Sequence, residues 1–157
     1  MRQWAIEAAA AFLFLAAPAE AKDLPPDGLT PAEVAKWLTD NGYEAEVAQN
    51  DKGESYIKTG AEGMTFEVLF YDCKPVRCQS MELLIGFELE APMTADQLSA
   101  WNAGKRYARA YPDAKGNPWF SYDINLAPGG TYEAMEDNYA IWVGLLPDFR
   151  KHVGWEE

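Results

Sequence analysis

The 157-residue sequence contains one histidine, His152, and two cysteines, Cys73 and Cys78. A catalytic serine or cysteine usually needs a histidine base beside it. His152 lies near the end of the last predicted helix, where a cationic ring would stabilise the helix dipole. The sequence also has neither a Gly-x-Ser-x-Gly elbow nor a Walker phosphate loop. It therefore favours a protein that is not an enzyme and that carries no cofactor.

Positive charge is scarce, since 13 Lys and Arg stand against 25 Asp and Glu, for a formal net charge of −12. Nucleic acids and anionic membrane surfaces attract basic proteins, so the sequence argues against both as partners. Glu133 and Glu136 are typical of a solvated helix face. Asp123 and Asn125 could touch a calcium ion, but no loop of alternating oxygen ligands surrounds them. No metal site is predicted.

The N-terminus has the layout of a secretory signal peptide. A positive start at Arg2 precedes an apolar run over residues 8–17, and Ala19-Glu20-Ala21 is a small-x-small cleavage site. The run is too short to span a bilayer, and no later stretch is longer and equally apolar. We expect cleavage after Ala21, a periplasmic or secreted location, and one domain over residues 22–157 with no membrane span.

The spacing Cys73-Lys-Pro-Val-Arg-Cys78 predicts a disulfide, because paired cysteines in exported proteins are usually oxidised. A zinc site would need two further ligands. A redox motif would need the spacing Cys-x-x-Cys.

Alternating apolar residues predict strands, and capping boxes at Thr30 and Thr94 predict the starts of two helices. The predicted order is helix, four strands, helix, two strands, helix. We expect an α+β fold with an antiparallel sheet of about six strands packed against helices. Pro147 is expected to kink or divide the last helix, whose apolar face indicates docking on the sheet rather than a dimer seam.

Basic and aromatic residues gather over residues 101–111, where no acidic residue interrupts them. The arginine at position 109 would share a strand face with Tyr107 and Tyr111 and could present its planar fork to a carboxylate. The alternative is that these charges only neutralise an acidic surface and cap a helix. The candidate binding residues are Trp101, Asn102, Lys105, Arg106 and Arg109.

The chain resembles the YbjN-domain family of bacterial proteins. The resemblance rests on residues 61–68, 71–78, 101–111 and 136–138, and it spans about residues 29–153. It implies a fold like that of type III secretion chaperones, which often form homodimers and bind polypeptide segments. It also implies the role of a sensory transduction regulator without enzymatic activity.

Three functions remain open from the sequence. The first is a non-catalytic periplasmic module, regulatory or chaperone-like, that binds a protein or peptide. The second is a carboxylate-dependent hydrolase or a small-ligand-binding protein, which would need two carboxylates close together in a deep pocket. The third is a stress-related structural protein with an obligate partner.

Overall fold

The computed structural model describes residues 21–155, and the predicted signal peptide lies almost wholly outside this range. The element order is the predicted one. The elements are α1 Pro31–Asp40, β1 Ala45–Gln49, β2 Ser55–Ala61, β3 Met64–Tyr71, β4 Ser80–Gly86, α2 Ala95–Gly104, β5 Arg109–Pro112, β6 Pro118–Asn125 and α3 Tyr132–Val153. None of these helices combines the length and hydropathy that a bilayer crossing requires.

All six strands form one antiparallel sheet in the order β1-β2-β3-β4-β6-β5. The α+β prediction is therefore confirmed. Side chains alternate between the two faces of a strand, and the registers align one apolar row across the sheet. Paired positions on this inner face include Val68 with Leu83 and Ile85 with Phe120.

The three helices pack on this inner face. Trp142 of α3 is fully buried and contacts Phe66 and Phe120 of the sheet. Trp101 of α2 meets the same Phe120, and Trp37 of α1 meets Tyr139 of α3. One aromatic core thus joins all three helices to one side of the sheet.

Two local predictions differ from the structure. The sequence from Thr94 onward predicts a second helix that runs to about Arg106, but α2 ends at Gly104 and Lys105 is extended (φ −122°, ψ 150°). Tyr107 has φ 78°, so the next strand begins only at Arg109. The chain reverses direction between Gly104 and Arg109, because Ala110 of β5 forms hydrogen bonds with Asn102 of α2.

The predicted break at Pro147 does not divide the last helix, which is continuous from Tyr132 to Val153. A proline inside a helix removes one backbone hydrogen bond. Leu146 and Phe149 on either side of it are fully buried. Core packing therefore holds the helix together across the proline.

Candidate functional site

The outer face of the sheet carries the candidate site, since all three helices lie on the inner face. Among residues 21–155, no helix covers this outer face. The strand registers bring β3, β4, β6 and β5 side by side, so four neighbouring strands supply its side chains. The residues of interest, named here the Arg109 cluster, are Tyr71, Glu82, Arg109, Tyr111, Ser121 and Asp123.

Glu82 is the centre of the Arg109 cluster. It lies on β4 and is only 5% exposed, although it belongs to the uncovered face. Its Oε2 accepts a 2.7 Å hydrogen bond from the Tyr71 hydroxyl, and its Oε1 accepts a 3.0 Å hydrogen bond from Arg109 Nη2. A buried carboxylate needs such partners to offset its desolvation.

Arg109 is held in one orientation by three contacts. Its Nε donates to Ser121 Oγ at 2.8 Å, its Nη2 donates to Glu82, and the same Nη2 lies 3.7 Å from Asp123 Oδ2. The guanidinium lies 5.7 Å from the centre of the Tyr111 ring. Its side chain is nevertheless 60% exposed. A fixed arginine is thus presented to solvent beside exposed tyrosine rings.

The contacts within the Arg109 cluster affect the ionisation of its tyrosines and its arginine. Burial and the hydrogen bond to Glu82 raise the pKa of Tyr71 to about 12, and burial raises the pKa of Tyr111. The hydrogen bond to Glu82 raises the pKa of Arg109 further. Both tyrosines are therefore neutral and the arginine charged at neutral pH. Ser121 accepts a hydrogen bond from a cation, which does not activate it as a nucleophile.

Trp119 extends the outer face beyond the Arg109 cluster. Its indole lies over Gly86, where an added Cβ would come within 3.0 Å of the ring. A groove of about 430 Å³ opens beside it, with Leu84 among its apolar lining residues. Lys58 and Glu67 are partners in the β2–β3 register, and the other charged residues of the groove are Glu88, Asp113 and Lys115. The outer face therefore combines aromatic, apolar and charged groups.

The predicted disulfide is present between Cys73 and Cys78, with an S–S distance of 2.07 Å. It closes the loop between β3 and β4, defined here as the disulfide loop, residues 73–78. Within it, Arg77 forms two hydrogen bonds with Glu33 of α1, at 2.7 and 2.9 Å. Burial opposes ionisation of Glu33, but hydrogen bonds from Thr30 and Arg77 outweigh it and lower the pKa of Glu33.

Comparison of the sequence with known protein families assigns the chain to one of them. A family model described as "Putative bacterial sensory transduction regulator" matches residues 30–155. The chain belongs to the YbjN family. The match includes α1, the entire sheet, the disulfide loop and α3. No curated protein matches the chain. The YbjN description is that of a regulator family rather than an enzyme family, and it supports a regulatory or chaperone-like role.

Within this YbjN domain, three of the candidate binding residues lie on the inner side. Trp101 is buried against Phe120 and Phe149. Asn102 accepts from Ala110 N–H at 2.8 Å and donates to Ala110 O at 2.9 Å. Lys105 pairs with Asp148 of α3 at 2.6 Å. These contacts tie α2 to β5, the core and α3.

The other two candidate residues point elsewhere. Arg106 is exposed and lies 4.8 Å from the Tyr107 ring centre. Arg109 alone reaches the outer face. Tyr107 was expected to share that face with Arg109 and Tyr111. It does not, because it precedes β5 and its ring meets Tyr122 of the inner face. The structure thus brings Trp101, Asn102 and Lys105 together but separates them from Arg109.

Sequence reasoning missed most of the Arg109 cluster. In the sequence Glu82 is a polar residue that alternates with the apolar residues of its strand, a pattern that gives no signal of burial. Asp123 was considered only for calcium. Residues 21–155 contain no group of three His, Cys, Asp or Glu side chains arranged to hold a metal ion.

His152 contacts the backbone of α2. Its Nε2 lies 3.1 Å from the Gln97 carbonyl oxygen and donates the hydrogen bond, because a carbonyl oxygen can only accept one.

Proposed function

We propose that this YbjN-family protein is a non-catalytic regulatory module of the periplasm that binds another protein through the outer face of its sheet. The observation that carries the proposal is Arg109, fixed by Glu82 and exposed beside Tyr71 and Tyr111. Tyrosine and arginine dominate the binding energy of many interfaces. An arginine already immobilised in the free protein loses little entropy when a partner binds.

The hydrolase alternative requires two carboxylates close together in a deep pocket. Glu82 and Asp123 do approach one another through Arg109. They do so on an uncovered sheet face rather than in a deep pocket, and Arg109 pairs with both. Neither carboxylate lines the groove beside Trp119, where the acidic residues are Glu67, Glu88 and Asp113 and the basic residues Lys58 and Lys115. The geometry suits recognition better than hydrolysis.

Photocrosslinking in the periplasm tests the binding part of the proposal. A photoreactive amino acid at Tyr111 should form an adduct with a partner that mass spectrometry identifies. The same amino acid at the exposed Asp40 of α1 should not form this adduct. Arg109→Ala should abolish the adduct, whereas the matched Arg106→Ala should keep it. Full retention of the adduct by Arg109→Ala would refute the role of the outer face.

The location is tested separately. Cell fractionation should recover the protein in the periplasm, and N-terminal sequencing of the mature chain should begin at Lys22. Cytoplasmic recovery with Met1 in place would contradict the periplasmic part of the proposal and leave the binding surface to its own test.

A further inference from the structure

A second surface lies at the end of the sheet that carries the disulfide loop. There a cleft of about 730 Å³ opens between the disulfide loop, the first turn of α1, the turn after β1 and the end of β3. It is larger than the groove of about 430 Å³ beside Trp119. The Arg109 cluster shares only Tyr71 with it.

The cleft gathers exposed apolar side chains. Among the described residues, five large hydrophobic side chains are exposed, and three of them line this cleft: Val47 (47%), Tyr71 (45%) and Val76 (62%). Val47 belongs to the inner-face row through its partner Ile57, whereas Tyr71 projects from the outer face, so the cleft opens at the end of the sheet and takes residues from both faces. Leu69 and Phe70 add partly buried apolar surface to the same cleft.

The position of Val76 is fixed by a crosslink and by hydrogen bonds within and around the disulfide loop. The disulfide closes residues 73–78, and Leu29 exchanges two backbone hydrogen bonds with Cys78, at 2.8 and 3.2 Å. Arg77 next to Val76 binds both Glu33 and the Gly28 carbonyl. The apolar tip is therefore presented rigidly, and preorganised groups bind with a smaller entropy loss.

The charged side chains that line the cleft are acidic, which favours a basic partner. Among the residues that the structure describes, the charged ones that line the cleft are Glu54 and Asp72. Arg77 lies nearby, but it is paired with Glu33 and faces Asp27 at 3.7 Å. With a net charge of −12, the chain as a whole repels acidic partners and a second copy of itself.

We infer that the cleft binds an apolar polypeptide segment flanked by Lys or Arg residues. Val47, Phe70 and Val76 would contact the apolar core of the segment, while Glu54 and Asp72 would attract its basic flanks. This second surface does not depend on the proposed role of Arg109.

The test uses three short fluorescent peptides and the mature protein. The first has a Leu-Val-Phe-Leu core flanked by lysines, the second has the same core flanked by glutamates, and the third has a serine core flanked by lysines. Anisotropy titrations should show the first binding about tenfold or more tightly than either other peptide. Val47→Ser with Val76→Ser should weaken the first peptide by about tenfold or more.

The variants separate this surface from the Arg109 cluster. Both valines are exposed, so their replacement should leave the circular dichroism and the melting temperature unchanged. Arg109→Ala should bind the first peptide normally even if it loses its periplasmic adduct. Equal binding of lysine- and glutamate-flanked peptides, binding unaffected by the valine double variant, or self-association through the cleft in light scattering would each overturn the inference.

Discussion

Arg109 on β5 donates a 3.0 Å hydrogen bond to Glu82 on β4, across β6, which lies between them in the sheet. The guanidinium thus bridges three strands on the outer face. Glu82 is nearly buried while Arg109 is largely exposed. The ion pair therefore joins a nearly buried carboxylate to an exposed guanidinium, and it links the edge strand β5 to the sheet interior.

Arg109→Ala should destabilise the protein by about 1 to 2 kcal/mol, because it leaves the buried Glu82 without its cationic partner. The loss is smaller than for a fully buried pair, since Arg109 is exposed. Urea denaturation followed by circular dichroism measures it. Arg106→Ala is the control and should change the free energy of unfolding by less than about 0.5 kcal/mol. Equal effects of the two variants would contradict the importance of the pair.

Gly86→Ala should destabilise the protein by about 1 to 3 kcal/mol, because the new methyl group would come within 3.0 Å of the Trp119 indole. The displaced indole should also change the tryptophan fluorescence. Gly104→Ala is a control of opposite sign. Nothing lies within 4 Å of its added Cβ, so better helix propensity should stabilise α2 by up to about 1 kcal/mol. A stabilising Gly86→Ala would show that Trp119 does not lie over Gly86.

The sequence predicts the elements well because alternation and capping are local signals. The period-two apolar positions of β3, β4 and β6 became the inner face, and Thr30 and Thr94 cap the helices as their spacing indicates. Local signals fail where distant contacts decide the conformation. The end of α2 depends on hydrogen bonds between Asn102 and Ala110, and the continuity of α3 depends on packing around Pro147.

The candidate site could be predicted only in part, for a related reason. The clustering of basic and aromatic residues over 101–111 is visible in the sequence and includes Arg109. Its partners Glu82, Ser121 and Asp123 come from other strands and meet it only through the β4–β6 and β5–β6 registers. Which strand pairs with which is a property of the folded sheet, so the buried carboxylate has no local signal.

Asn102→Ala should destabilise the protein by about 1 to 3 kcal/mol, because the amide of Asn102 pairs with both backbone groups of Ala110. Asn102→Asp keeps the acceptor for Ala110 N–H but places a carboxylate oxygen against the Ala110 carbonyl oxygen, so it should also destabilise the protein. Chemical denaturation ranks the variants. Hydrogen exchange at Ala110 N–H should quicken in Asn102→Ala, and unchanged exchange there would argue against the contact.

Removing the disulfide should cost about 2 kcal/mol, as expected for a crosslink that closes so short a loop. The double variant Cys73→Ser with Cys78→Ser tests this by urea denaturation beside the oxidised protein. Thiol titration of the unfolded protein should detect no free cysteine. Two free thiols in protein purified from the periplasm would contradict the crosslink.

The pairing of Glu33 with Arg77 should make stability depend on acid pH. The folded pKa of Glu33 is lowered from its ordinary value of 4.5, so folding favours its ionised form. Its contribution is complete above about pH 4.5 and declines as the pH falls through the folded pKa.

Glu33→Gln keeps a hydrogen-bonding side chain in the capping box but removes the charge. At pH 7 it should lower the free energy of unfolding by up to about 1 kcal/mol, since the pair is partly exposed. The difference from the unaltered protein should shrink between about pH 5 and pH 3 in urea denaturation series. A difference that stays constant over this range would mean that Glu33 stabilises the protein without its charge.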